Sequence, residues 1–202
     1  MRKIAWTAAA LAATLALPAL AQQPAPDGTP LTVRGTIEKF ENQTLTVKAR
    51  EGNVVVIAVP ANVNINAPVK KTLADIKPGD LVGSTSVKKA DGKLHSLEVH
   101  FLPPTVAERQ FAFDLAPDST MTNAKVAQVM STTDGNVLRV NVDGKPFDVI
   151  IDADTPIVAN VAGDASLLKP GAFVRVNSLK KADGSITATG INAEKDGVRP
   201  PN

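Results

Sequence analysis

One stretch of this chain occurs twice, and it confines the fold to a narrow range. Residues 76–92 read IKPGDLVGSTSVKKADG, and residues 168–184 read LKPGAFVRVNSLKKADG. The copies share Lys77-Pro78-Gly79 and Lys169-Pro170-Gly171, Val82 and Val174, Ser86 and Ser178, and a closing Lys-Lys-Ala-Asp-Gly run. Proline presets the first central φ of a type II turn and glycine takes the positive φ of the second. The alternation of Val174, Val176 and Ser178 with Phe173, Arg175 and Asn177 is that of a strand. Asp-Gly is the pair that favours a two-residue type I′ hairpin. A second alternating run follows, Leu94 to Leu102 in one copy and Ile186 to Ala193 in the other. Each copy therefore encodes turn, strand, hairpin, strand.

The flanking sequence extends the unit. Val33, Gly35 and Ile37 alternate with Arg34, Thr36 and Glu38; Leu45 and Val47 follow, and Val54–Val59 is a nearly continuous apolar run suited to a buried strand. Thr72 is placed to cap a short helical turn before Ile76, and Asp164 occupies the same position ahead of Leu167-Leu168. From Asn123 the second unit repeats this grammar. The expected fold is all-β: two tandem small OB-like β-barrel domains, each of five strands with a short helix between strands three and four. The expected boundaries are a signal peptide over 1–21, a Pro-rich linker over 22–30, a first barrel over 31–102, a connector over 103–121, a second barrel over 122–195 and a flexible tail over 196–202.

Composition narrows the function. Arg2 and Lys3, the apolar stretch Ile4–Leu17 and Ala19-Leu20-Ala21 have the layout of a cleavable secretory signal. The chain is thus expected to be periplasmic or secreted and, after cleavage, not membrane-spanning. Losing Arg2 and Lys3 brings Lys+Arg from 22 to 20, equal to the 20 Asp+Glu. That balance, together with export, argues against nucleic acid as a partner. No cysteine is present, which removes disulfides, thiolate metal sites and cysteine nucleophiles. The single Trp lies in the signal, Tyr is absent, and six Phe are the aromatic supply.

Few residues are candidates for chemistry. His95 and His100 are five positions apart, so an unbroken strand sends them to opposite faces, and a shared metal site would need a bulge. Glu98 and His100 share a face. The set a metal ion would use is therefore His95, Glu98 and His100, which falls short of the four ligands of a closed zinc site. Phe111 and Phe113, between the barrels, are the binding-groove candidates. Asp152-Ala153-Asp154-Thr155 matches half of a calcium loop but lacks its later ligands. Lys88-Lys89 and Lys180-Lys181 read as solvated guards of hairpin edges. No nucleophile elbow or triad is set up, so no catalytic residue, no cofactor and no enzymatic activity are expected. The leading reading is an exported non-enzymatic binding protein with an envelope protein or polymer as partner. The alternative is a periplasmic metal-binding accessory using His100 and Glu98. A hydrolase of envelope polymers would need two converging carboxylates.

The segments DGTPLTVRGTIEK, KKTLADIKPGD, KKADGKLHSLEVHF, DLAPDSTMTNAKV, GDASLLKPGA and AEKDGVRPP give the chain a further likeness. Together they resemble a group of small exported bacterial proteins of unknown function, often labelled "metal ABC transporter permease". The resemblance covers essentially the whole chain after the signal. It implies tandem OB-like barrels and, through the label, an accessory role near metal uptake. After Ala21 no stretch supplies the apolar spans of about 20 residues that a permease requires. The resemblance implies no functional residues, and a metal role would rest on LHSLEVH.

Overall fold

Alternating apolar positions become strands throughout a computed structural model that describes residues 27–133, 135–142 and 144–200. The expected signal peptide and most of the expected linker lie outside those residues. The strands are β1 Thr29–Glu41, β2 Thr44–Ala49, β3 Val54–Ala58, β4 Asn64–Lys70, β5 Leu81–Lys88, β6 Leu94–Phe101 and β7 Arg109–Ala112. They continue with β8 Thr120–Thr132, β9 Gly135–Val142, β10 Lys145–Ile151, β11 Ile157–Ala162, β12 Phe173–Lys180 and β13 Ile186–Ala193. The fold is all-β with almost no helix. Three-residue 3-10 turns, Leu73–Asp75 and Ala165–Leu167, stand where short helices were expected. Asp75 accepts from the Thr72 backbone N–H at 2.7 Å, and Asp164 accepts from that of Ser166 at 2.7 Å.

Strand pairing closes a five-stranded barrel from the two ends of the chain. β2 pairs β1 and β3, β12 pairs β1 and β13, and a bridge between Ala58 and Thr187 joins β3 to β13. Inside this terminal ring lie Ile37, Leu45, Val47, Ile57, Val174, Val176 and Ile191. The middle of the chain supplies the remaining strands. There β8 pairs β9 and β5, β9 pairs β10, β5 pairs β6, and β10 meets β6 in parallel through Val149 and Ile150. Val82, Val99, Val126, Leu138, Val140 and Val149 form the core of this central ring. Closing a sheet on itself removes the unpaired edges at which sheets aggregate.

The pairing crosses the boundaries expected from the repeat. β1–β3 do not close with β5 and β6, as contiguous halves 31–102 and 122–195 would require; they close with β12 and β13. The unit over 81–151 is nested between the two parts of the terminal ring. β4 and β11 were not expected, because Asn64, Asn66 and Pro68 in one and the Ala-rich run of the other blur any alternation. They pair with each other, Val158 with Lys70 through Ala162 with Asn66. They then carry the sheet in parallel from β6 to β13. The connector is also structured: β7 within it pairs β8.

The expected hairpin turn and the expected loose tail both need correction. Lys89 N–H donates to Lys93 O at 3.0 Å and Gly92 N–H to Lys89 O at 2.9 Å. Ala90-Asp91-Gly92 is thus a three-residue loop with Gly92 at φ +80°, a type I turn followed by a left-handed glycine rather than a type I′ pair. The tail is not loose over 196–200. Lys195 and Val198 bridge, Pro200 is buried, and the Arg199 guanidinium lies 5.5 Å from the Phe173 ring centroid.

Candidate functional site

The duplication sets two unlike pairs of residues beside a cleft between the rings. On β5 and β6, Gly83 stands opposite His100; at the matching places on β12 and β13, Arg175 stands opposite Asn192. The cleft, about 240 Å³, is lined by His100, Phe111, Phe113, Met121, Asn123 and Arg175, with Asn160, Asn192 and Leu102 completing it. Both rings and β11 therefore contribute.

Gly83 is required by the imidazole. A Cβ there would collide with Nε2 and Cε1 of His100, so the ring lies across the bare strand. Glu98, 1% exposed, holds the ring from behind: His100 Nδ1 is 2.8 Å from Oε2, and Thr85 Oγ1–H donates to Oε1 at 2.6 Å. With the carboxylate accepting, Nδ1 carries the donated proton and Nε2 lies over Gly83.

The opposite wall concentrates positive charge. Arg34 and Arg175 face each other across β1 and β12, an arrangement of like charges that costs free energy. Arg34 is 5% exposed and donates through both terminal nitrogens to Asp114, at 3.0 and 2.9 Å, with Phe113 beneath it at 5.6 Å. The Arg175 side chain has no such partner: among the described residues no hydrogen bond or ion pair engages it, and its Nε, like that of Arg34, is buried and unsatisfied. Burial first, then the Arg34 charge, draws its pKa below the ordinary value, while Glu98 and Asp114 act the other way.

The residues singled out in the sequence are distributed over two places. A bulge at Leu97 shifts the register between Thr85–Glu98 and Ser86–Ser96, which brings His95, Glu98 and His100 onto one face. They still do not converge. Their partners Val87 and Gly83 are four residues apart, roughly 13 Å along a strand. His95 is instead clamped between Asp91, 3.0 Å from Nε2, and Asp152, 3.0 Å from Nδ1, with Lys89 also on Asp152 at 2.8 Å. Among the described residues no group of three His, Cys, Asp or Glu side chains is disposed to hold a metal ion. Phe111 and Phe113 do reach the cleft, edge to face at 6.1 Å. The sequence reading missed Arg175 and the three asparagines.

A larger groove, about 740 Å³, runs past Lys70, Asp152, Asp154, Pro156 and Arg199. It mixes both signs of charge, and Asp152 is already engaged. The smaller cleft is the better site because an unsatisfied cation and several side-chain amides meet there. Comparisons of the chain with family models, curated proteins and solved structures found no match.

The His95 clamp has a pH signature. The Asp91 hydrogen bond, chiefly, and then Asp152 raise the His95 pKa above its usual 6.5, against burial. A raised native value means the contribution is complete below about 6.5 and is lost as pH rises through the native pKa. The melting-temperature difference between the wild type and His95→Gln should therefore be largest near pH 5 to 6 and shrink toward alkaline pH. A difference that grows with pH would contradict the clamp.

Proposed function

We propose that this is an exported, non-enzymatic binding protein that holds a ligand from the cell envelope in the cleft between its rings. The observation that carries the reading is Arg175. A fold that pairs Arg34 with Asp114, Arg139 with Asp148 and Lys89 with Asp152 leaves the half-buried Arg175 side chain with no hydrogen-bond partner among the described residues, at a cavity wall. Its terminal nitrogens are free to donate to a ligand at that wall. We read each ring as an OB-like module of a duplicated pair whose closing strands have been exchanged. In support, the terminal ring runs β1-β2-β3-β13-β12 and the central ring β8-β9-β10-β6-β5, the same order in each. The signal-like start of the chain supports export.

The test is a thermal-shift screen of fractionated periplasmic extract against the purified protein. At least one fraction should raise the melting temperature of the wild type and leave Phe111→Ala unmoved. If no fraction acts, or if the variant responds like the wild type, the cleft is not the binding site.

A further inference from the structure

The open guanidinium at the cleft wall specifies what it takes. We propose that the ligand is a small molecule with a carboxylate head and a short apolar body, the carboxylate seated on the terminal nitrogens of Arg175; the inference rests on the cleft being a binding site.

Several observations meet here. Of the two arginines opposed across β1 and β12, Arg34 is neutralised by Asp114 and Arg175 is not. The Arg34–Asp114 pair is closed within the chain and Glu98 is hydrogen-bonded to His100 and Thr85, so Arg175 is the guanidinium of the lining with no carboxylate in hydrogen-bond reach. Among the described residues no lysine lines the cleft. A single guanidinium in the lining matches a monoanion, whereas a phosphate dianion calls for a second cation. The planar fork of a guanidinium fits the two oxygens of a carboxylate. Asn123, Asn160 and Asn192 supply side-chain N–H donors at the same walls, each able to donate to the lone pairs that the arginine leaves open. Phe111, Met121 and Leu102 supply an apolar face, and the T-shaped Phe111–Phe113 pair is suited to a flat or short aliphatic body. The repeat isolates the feature: the place held by Arg175 in one copy is held by Gly83 in the other, so the cation was placed on one side of a duplicated frame.

The experiment is an NMR titration of the intact protein that follows the Arg175 Nε–H resonance and the asparagine side-chain amides. Three probes are compared: benzoate, its neutral analogue benzamide, and inorganic phosphate. Benzoate should shift these signals saturably. Benzamide and phosphate should bind at least about tenfold more weakly, as expected when a charge-assisted hydrogen bond is lost or mismatched. Arg175→Gln should weaken benzoate by a similar factor while its circular dichroism and melting temperature hold or rise. The contrast among probes needs only the wild type, so a variant that fails to fold does not leave the question open. Equal binding of benzoate and benzamide would overturn the carboxylate while leaving a neutral-ligand cleft standing. Binding of phosphate alone, or silence with all three probes, would overturn it too. In the silent case the broader binding reading is judged by the extract screen, which assumes no ligand charge.

Discussion

Leu138→Ala is expected to lower the stability of the protein by about 2–5 kcal/mol, toward the upper part of that range. Leu138 is 0% exposed and sits among Val82, Val99, Val126, Val140 and Val149 at the centre of the central ring. The strands around it are hydrogen-bonded to neighbours on both sides, so the wall has little freedom to collapse onto the space the side chain leaves. The lost contacts and the residual cavity therefore add. The control is Val56→Ala on β3, where the side chain is 58% exposed and the change should stay within about 0.5 kcal/mol. Urea unfolding measures both. A loss below about 1 kcal/mol for Leu138→Ala would mean that the ring is not packed as described.

The second large effect is expected at the imidazole of the cleft. His100→Ala removes a 2.8 Å donor from a carboxylate that is 1% exposed. Removing a hydrogen-bond donor from a buried carboxylate costs about 1.5–3 kcal/mol, more than replacing both partners by uncharged groups does. The asymmetry gives the prediction its shape. In the double variant His100→Ala/Glu98→Gln the buried carboxylate charge is gone, so its destabilisation should be well below the sum of the two singles. A double-mutant cycle by denaturant unfolding reads this directly. Additive losses would show that the two side chains do not act as a unit.

The local pieces of this fold were written plainly in the chain, and their assembly was not. Leu45 and Val47, Val174 and Val176, and the Pro-Gly corners with Gly79 at φ +93° and Gly171 at φ +88° follow from residue type alone. Pairing partners do not. Because the copies are alike, β12 presents Val174 and Val176 to β1 much as β5 would present Val82 and Ser84, and no local pattern distinguishes the two arrangements. β4 was hidden by Pro68 and its asparagines, whose β propensity is low. The phase of His95 against His100 depended on one extra residue, Leu97, for which alternation gives no warning.

The site was legible in part. Phe111 and Phe113 stood out because aromatics are scarce here, and they do line the cleft. Arg175 carried a usable signal that went unread. It is a charge between two buried valines in a strand, and it aligns with a glycine in the other copy. Asn123, Asn160 and Asn192 gave no signal, since they come together only through the nesting of one ring within the other.

That nesting is the premise of the cleft, and cysteine trapping tests it most directly, because the chain has no cysteine of its own. Thr32 lies opposite Asn177 across β1 and β12; in contiguous halves its partner would be Thr85, the residue that matches Asn177 in the repeat. Paired Cα atoms in a sheet fall within disulfide reach. Under mild oxidation the Thr32→Cys/Asn177→Cys protein should form an intramolecular disulfide in high yield, and Thr32→Cys/Thr85→Cys should form none. The reverse outcome would return the chain to two contiguous barrels and remove the wall that carries Arg175.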